Sequence, residues 1–147
     1  MARIALPQDN LYLDGFKKLS EERGIAICGG YAEAARSLAL PGAQVILHPP
    51  NLVLPYCQRA MFARAVENRV YIATCNRVGS ETNSQGDNLT FTGASQVVSP
   101  RGEYLMTFDE TVAGIKTVEI DPGAADNKDL NQFNSVLRDL RPELSVH

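Results

Sequence analysis

The chain has no tryptophan, only two histidines and three cysteines among 147 residues, and just four lysines. Each shortage removes a class of chemistry. The histidines are His48 and His147, and His147 ends the sequence, so a zinc site or a Ser-His-Asp triad would rest on His48 alone. Cys28, Cys57 and Cys75 lie far apart, at neither metal-finger nor redox spacing, which fits a reduced, cytoplasmic compartment. Long apolar runs are missing too: the stretch Val45–Leu47 is far too short to cross a bilayer. The first residues, Met1 to Pro7, lack the apolar core of a secretory signal. The net charge is −3 and no basic cluster occurs, so nucleic acid is not an expected partner.

What is present is an ordinary globular balance, 44% hydrophobic and 21% charged, in a length that suits one domain or one large part of a domain. Arg3–Leu6 reads as a short strand closed by Pro7. Leu13, Phe16 and Leu19 recur at helical spacing, with Gly24 at the expected stop. Ile25–Cys28 reads as a buried strand ending at Gly29-Gly30, Glu33–Leu40 as a helix stopped by Pro41-Gly42, and Ala43–Leu47 as another strand. Pro55 suits the first turn of the next helix, where Cys57, Met61 and Ala65 with Phe62 and Val66 make an apolar stripe. Val70–Cys75 follows as a strand.

Alternation of strands and helices to this point predicts an α/β fold with a largely parallel sheet. Ser80–Asn88 is polar and loop-like. Thr92–Val98, Glu103–Phe108 and Ile115–Ile120 read as later strands that add mainly antiparallel neighbours, the first two joined by the turn sequence Ser99-Pro-Arg-Gly102. From Pro122 the chain is polar and partly helical.

From Glu33 to about Leu144, several segments stand in a recognisable order. They are Glu33–Leu40, Gly42–Pro49 with Asn51–Pro55, Arg64–Arg69, Ala73–Gly79, Phe91–Ser95 with Ser99–Gly102, Glu119–Asp121 and Arg141–Leu144. Together they resemble the carboxyl-terminal half of the carbon–nitrogen hydrolases, the nitrilase and amidase superfamily. The resemblance implies half of an αββα sandwich, a mixed sheet flanked by helices. It further implies a cytoplasmic hydrolase of small amides or nitriles that needs no cofactor and no metal, and self-assembly into a homodimer or larger oligomer. It also implies a Glu-Lys-Cys triad, in which a thiolate attacks the carbonyl or nitrile carbon, a carboxylate moves the proton and a lysine stabilises the developing charge.

The first third of the chain departs from that pattern. Such hydrolases run to about twice this length. Phe16–Glu33 resembles a helix, strand and Gly-Tyr-x-Glu piece of the family's first half, a piece that normally precedes both the lysine and the nucleophile. In that register the chain joins an amino-terminal piece to the post-nucleophile half near Glu33, with the catalytic middle deleted. A second register places Cys28 on the nucleophile. It requires a two-residue deletion directly after Cys28 and leaves the helix Leu13–Arg23 unexplained. The lysines favour the first register. Lys17 and Lys18 lie on an amphipathic pattern, Lys116 alternates along a late strand and Lys128 sits in the polar tail; none has the Arg-Lys context that precedes the family's nucleophile.

Individual residues carry expectations accordingly. Cys28 is a weak nucleophile candidate, since nothing near it in sequence would lower its pKa. By resemblance His48 and Asn51 line the substrate-side loop, with a hydrogen-bonding role in fixing that loop as the alternative. Arg64 and Glu67 share a helix face and with Asn68 are expected to brace helix against sheet near a subunit contact. Glu33 is expected to favour a helix start. Cys57 and Cys75 are expected in the core. An apolar sheet face left open by the missing half is a further reason to expect self-association.

Overall fold

The computed structural model describes the backbone of residues 25–27 and residues 34–141. The expected strand at 3–6, the helix at 13–23, Lys17, Lys18, Cys28 and Glu33 lie outside the described residues. Seven strands and two helices are described: β1 (Ile25–Ile27), α1 (Ala34–Ala39), β2 (Val45–His48), α2 (Cys57–Asn68), β3 (Tyr71–Thr74), β4 (Ser80–Thr82), β5 (Asn88–Thr90), β6 (Gln96–Val98) and β7 (Tyr104–Thr107). A 3₁₀ turn, Pro122–Ala125, follows.

The main sheet runs β1-β2-β3-β6-β7. The first three strands are parallel, with Ile27 opposite Leu47 and Leu47 opposite Ala73. β6 and β7 are antiparallel, which makes the sheet mixed. Parallel neighbours need a long return path, and α1 and α2 supply it. Both helices cover one face, where Leu38, Ile46, Met61, Ala65, Val70, Ile72 and Val98 make the main cluster. On the other face Val45, Tyr71 and Ala125 pack together with Leu47, Leu105 and Ile120, so the 3₁₀ turn covers part of the face expected to be open. No helix among the described residues is long and apolar enough to cross a membrane.

α2 differs from expectation in its face. Its buried positions are Gln58, Met61, Ala65 and Asn68, spaced three, four and three apart. The stripe is therefore rotated toward two polar side chains, while Cys57 and Phe62 are only half-buried. The helix ends at Arg69, held in a left-handed conformation at φ 52°, whose N–H returns to the carbonyls of Ala65 and Val66.

Three sequence expectations fail for identifiable reasons. Residues 80–90 form an exposed hairpin, β4 with β5, in place of a plain polar loop. All six strand residues face solvent, so no apolar alternation marks them; the turn is closed by Asn83, whose Oδ1 accepts from the N–H groups of Gln85 and Asp87. The strand expected at 92–98 is confined to Gln96–Val98, because Gly93 and Ala94 both take positive φ. Residues 115–120 make no ladder among the described residues. The Lys116 ammonium, not a strand N–H, takes the Thr107 carbonyl of β7 at 2.6 Å, and Ile115 is 95% exposed.

Ile72 is central in the sheet and fully buried. Replacing it with alanine, Ile72→Ala, is expected to cost about 2–5 kcal/mol through lost burial and a cavity. Denaturant unfolding with an unchanged m-value and a lowered midpoint checks this.

Candidate functional site

Because β1, β2 and β3 are parallel, their carboxyl ends meet one edge of the sheet, the edge where ligands gather in open α/β folds. Beyond that edge the strand ladder stops; the Thr92 N–H still donates to the Leu52 carbonyl and the Gly93 N–H to the Arg77 carbonyl, and side chains reinforce these links. The N–H of Cys75 still reaches the carbonyl of His48 at 2.9 Å. One residue later, Asn76 does the joining. Its Oδ1 accepts from the N–H of Leu52 at 2.7 Å, and its Nδ2 donates to the Leu52 carbonyl at 3.3 Å, the Thr92 hydroxyl at 3.1 Å and the Gly93 carbonyl at 3.0 Å. The backbone N–H of Asn76 donates to Ser95 Oγ at 3.0 Å.

α2 closes the same knot from the helix side. Gln58 Nε2 donates to the Thr92 hydroxyl at 2.8 Å and to the Gly93 carbonyl at 3.0 Å, while Gln96 Nε2 donates to the Gln58 carbonyl at 2.8 Å. Gly93 is a glycine for two reasons: its φ is 51°, and a Cβ there would overlap the Glu110 carbonyl. Three segments, 51–53, 75–77 and 92–95, are thereby tied to one another and to the first turn of α2.

His48 lies under this knot, 2% exposed, with Nδ1 3.3 Å from the Thr74 hydroxyl. Burial lowers its pKa from the usual histidine value, because the charged ring would lose its water. His48 is thus a buried residue that bonds the neighbouring strand β3 through Thr74, and no bond from its ring to the 51–55 loop is described. Asn51 is exposed on the loop that Asn76 holds. Arg64, Glu67 and Asn68 are further along α2, about 9 to 15 Å from Gln58 at 1.5 Å per residue. Arg64 and Glu67 pair at 2.7 Å but are half-exposed, so the pair contributes a few tenths of a kcal/mol at most. Asn68 is buried and donates to the Arg64 carbonyl at 2.8 Å. Around it Arg36 and Lys128 donate to the carbonyls of Glu67, Asn68 and Arg69, capping the helix.

A hollow of about 700 Å³ opens beside the knot. Ala73, Val97, Met106 and Phe108 form its floor, and residues 112–118 its wall. The volume suits a small organic molecule and the lining is mostly apolar. Cys75, expected in the core, is instead an exposed free thiol on this hollow. Among the described residues no cluster of His, Cys, Asp and Glu could hold a metal ion. Sequence reading missed Asn76, Gln58, Thr92 and Gln96 as a unit. Polar Gln58 inside an apolar helical stripe was the one local signal.

Two outcomes follow from this geometry. Asn76→Ala leaves the Leu52 N–H without its partner and takes one of two donors from the Gly93 carbonyl, and is expected to destabilise the chain by about 1–3 kcal/mol, read by denaturant unfolding. For His48, the folded pKa lies below the unfolded value of about 6.5. Its contribution is therefore complete above that pH and is lost as pH falls through the folded value. The wild-type melting temperature is expected to drop between pH 7.5 and pH 5, and His48→Gln to drop less.

The same chain segments are found in known proteins. The family model described as carbon–nitrogen hydrolase matches residues 10–127. A nitrilase from Pyrococcus abyssi is 44% identical over 131 residues, covering 88% of this chain and 47% of that protein. N-carbamoylputrescine amidase from Arabidopsis thaliana is 29% identical over 136 residues, covering 82% and 45%. The chain therefore spans about half the length of these curated relatives. Among solved structures, a carbon–nitrogen hydrolase from Helicobacter pylori G27 superposes with a TM-score of 0.52 at 26% identity, covering 59% of this chain and 37% of that one. An amidase variant from Nesterenkonia sp. AN1, bearing a Michael adduct of acrylamide on its active-site cysteine, gives 0.51 at 31% identity, covering 59% and 35%. With the mixed sheet, the edge loops and the family match all covering the same stretch, the chain belongs to the carbon–nitrogen hydrolase family.

Proposed function

We propose that this 147-residue chain carries the substrate-side scaffold of a carbon–nitrogen hydrolase without a working Glu-Lys-Cys set, and so does not turn over amides or nitriles by itself. The observation that carries the reading is where its described lysines are. Lys116 donates to the Thr107 carbonyl and lies over the Phe108 ring at 4.4 Å. Lys128 caps the end of α2 remote from the knot. Lys116 lines the hollow, but its ammonium is engaged by the Thr107 carbonyl and the Phe108 ring, and Lys128 is remote. Thiolate attack on an amide needs a charge-stabilising group and a proton carrier beside the sulfur. The knot supplies neutral amides and hydroxyls that fix loops, which is scaffold chemistry.

A second reading has one observation in its favour. Ile27 of β1 pairs with Leu47 at the same edge of the sheet as the knot and the hollow. Cys28, the next residue, lies outside the described residues. In this reading Cys28 is the nucleophile: its thiolate adds to the carbonyl, ammonia leaves with a proton from a carboxylic acid, and water hydrolyses the thioester.

Ammonia release from a short aliphatic amide such as propionamide separates the two. Loss of a triad member costs on the order of 10⁴-fold or more in kcat. The expected result is release no faster than buffer, with iodoacetamide labelling Cys75, located by peptide mapping, ahead of Cys28. Measurable release that disappears as Cys28 is alkylated would overturn the proposal and establish the second reading.

A further inference from the structure

The end of α2 collects more positive charge than capping a helix requires. Arg36 of α1 donates to the Glu67 carbonyl at 3.2 Å, and Lys128 donates to the carbonyls of Asn68 and Arg69 at 3.2 and 2.9 Å. Arg69 itself is 8% exposed, and its guanidinium donates to the carbonyls of Pro100 and Asp129, both at 3.2 Å. Three cations thus meet around one helix end, where the helix dipole offers only about half a negative charge.

Carboxylates do not make up the difference. Glu67 pairs with Arg64 and Asp129 with Arg138, each at 2.7 Å. Asp126 is the carboxylate that acts on Lys128, and it accepts from Gln44 at 2.7 Å. It answers one of the three charges. Burial lowers the Lys128 pKa from the usual lysine value; Asp126 opposes this, while Arg69 and Arg36 lower it further. Burial and the neighbouring Arg101 act on Arg69 in the same sense.

The described hydrogen bonds also leave donors over. Arg36 spends one of its five N–H groups, and Lys128 two of its three. The Arg69 Nε is buried and has no acceptor among the described residues. A buried charge is costly unless a counter-charge meets it, and Arg69 is met by carbonyls alone. Arg36 and Lys128 are half-buried, and Arg36 also lines a hollow of about 720 Å³ between α2 and residues 130–140.

We propose that Arg36, Arg69 and Lys128 form a binding site for a doubly charged oxyanion of the phosphate type. The unspent N–H groups of Arg36 and Lys128 bond its oxygens, and the buried Arg69 charge adds attraction from behind. Guanidinium and ammonium groups both suit such an ion, the first by its fork of donors and the second as a point charge. The site is at the other end of α2 from Gln58 and the Asn76 knot, so it stands apart from any amide hydrolysis.

Titration of the full chain with inorganic phosphate tests this, with sodium chloride at matched ionic strength as the reference. Phosphate is expected to raise the melting temperature in a saturable way where chloride does not, and calorimetric titration gives its Kd. Arg36→Gln and Lys128→Gln are each expected to weaken binding at least about tenfold, because each removes a charge-assisted hydrogen bond. Lys128→Arg keeps the charge and is expected to keep binding. Arg59→Gln removes the same charge from an exposed position early in α2 and is expected to leave the affinity unchanged. Cooperative melting reports that each variant is folded, and the glutamine at position 36 still has an amide to donate to the Glu67 carbonyl. If phosphate acts no differently from chloride, or if Arg59→Gln weakens binding as much as Arg36→Gln and Lys128→Gln, the surplus charge is only screened and the site does not exist.

Discussion

A parallel sheet has to end somewhere, and at its carboxyl edge the backbone groups of the departing loops lose the neighbours that the ladder supplied. In this chain the shortage is met by the carboxamide of Asn76, which carries both an acceptor and two donors. It pairs with both backbone groups of Leu52 and reaches Thr92 and Gly93 as well. Much of the edge geometry descends from that side chain. The loop after β2, the exit of β3 and the entry to β6 are three segments far apart in sequence, and Asn76 gives them a common anchor.

That anchor explains features that look unrelated. Gln58 is buried in a helix because it completes the same set of acceptors, and the burial face of α2 turns toward it. Gly93 must be glycine because the loop has to bring its carbonyl to both carboxamides while passing close to Glu110. His48 stays neutral because the knot and the strands exclude water from it. At the opposite end of α2 the problem is inverse, since spare carbonyls need donors, and Arg36 and Lys128 answer it with charge. One helix thus connects an uncharged, hydrogen-bonded edge to a cationic cap.

Within a carbon–nitrogen hydrolase fold, this arrangement is a scaffold for loops at the sheet edge. The elements that hold loops at the sheet edge are present and mutually satisfied, and a largely apolar hollow lies next to them. The two described lysines, Lys116 and Lys128, are engaged by backbone carbonyls. Asn51, on the loop that Asn76 holds, is exposed.

The sequence by itself determined the α/β class, the parallel core β1-β2-β3 and the family, because buried strands and helices write their periods into the order of apolar residues. The ordered segments from Glu33 onward carried the family. Other features were decided only by tertiary structure. Residues 115–120 have a strand's pattern, but pairing requires a partner's open hydrogen bonds, and the Lys116 ammonium took the Thr107 acceptor first. The β4–β5 hairpin buries nothing, so no apolar rhythm could announce it. The knot was illegible for a similar reason. Gln58, Asn76, Thr92 and Gln96 are unremarkable polar residues in sequence, and their common purpose exists only once folding has removed water from around them and left each one dependent on the others for its hydrogen bonds.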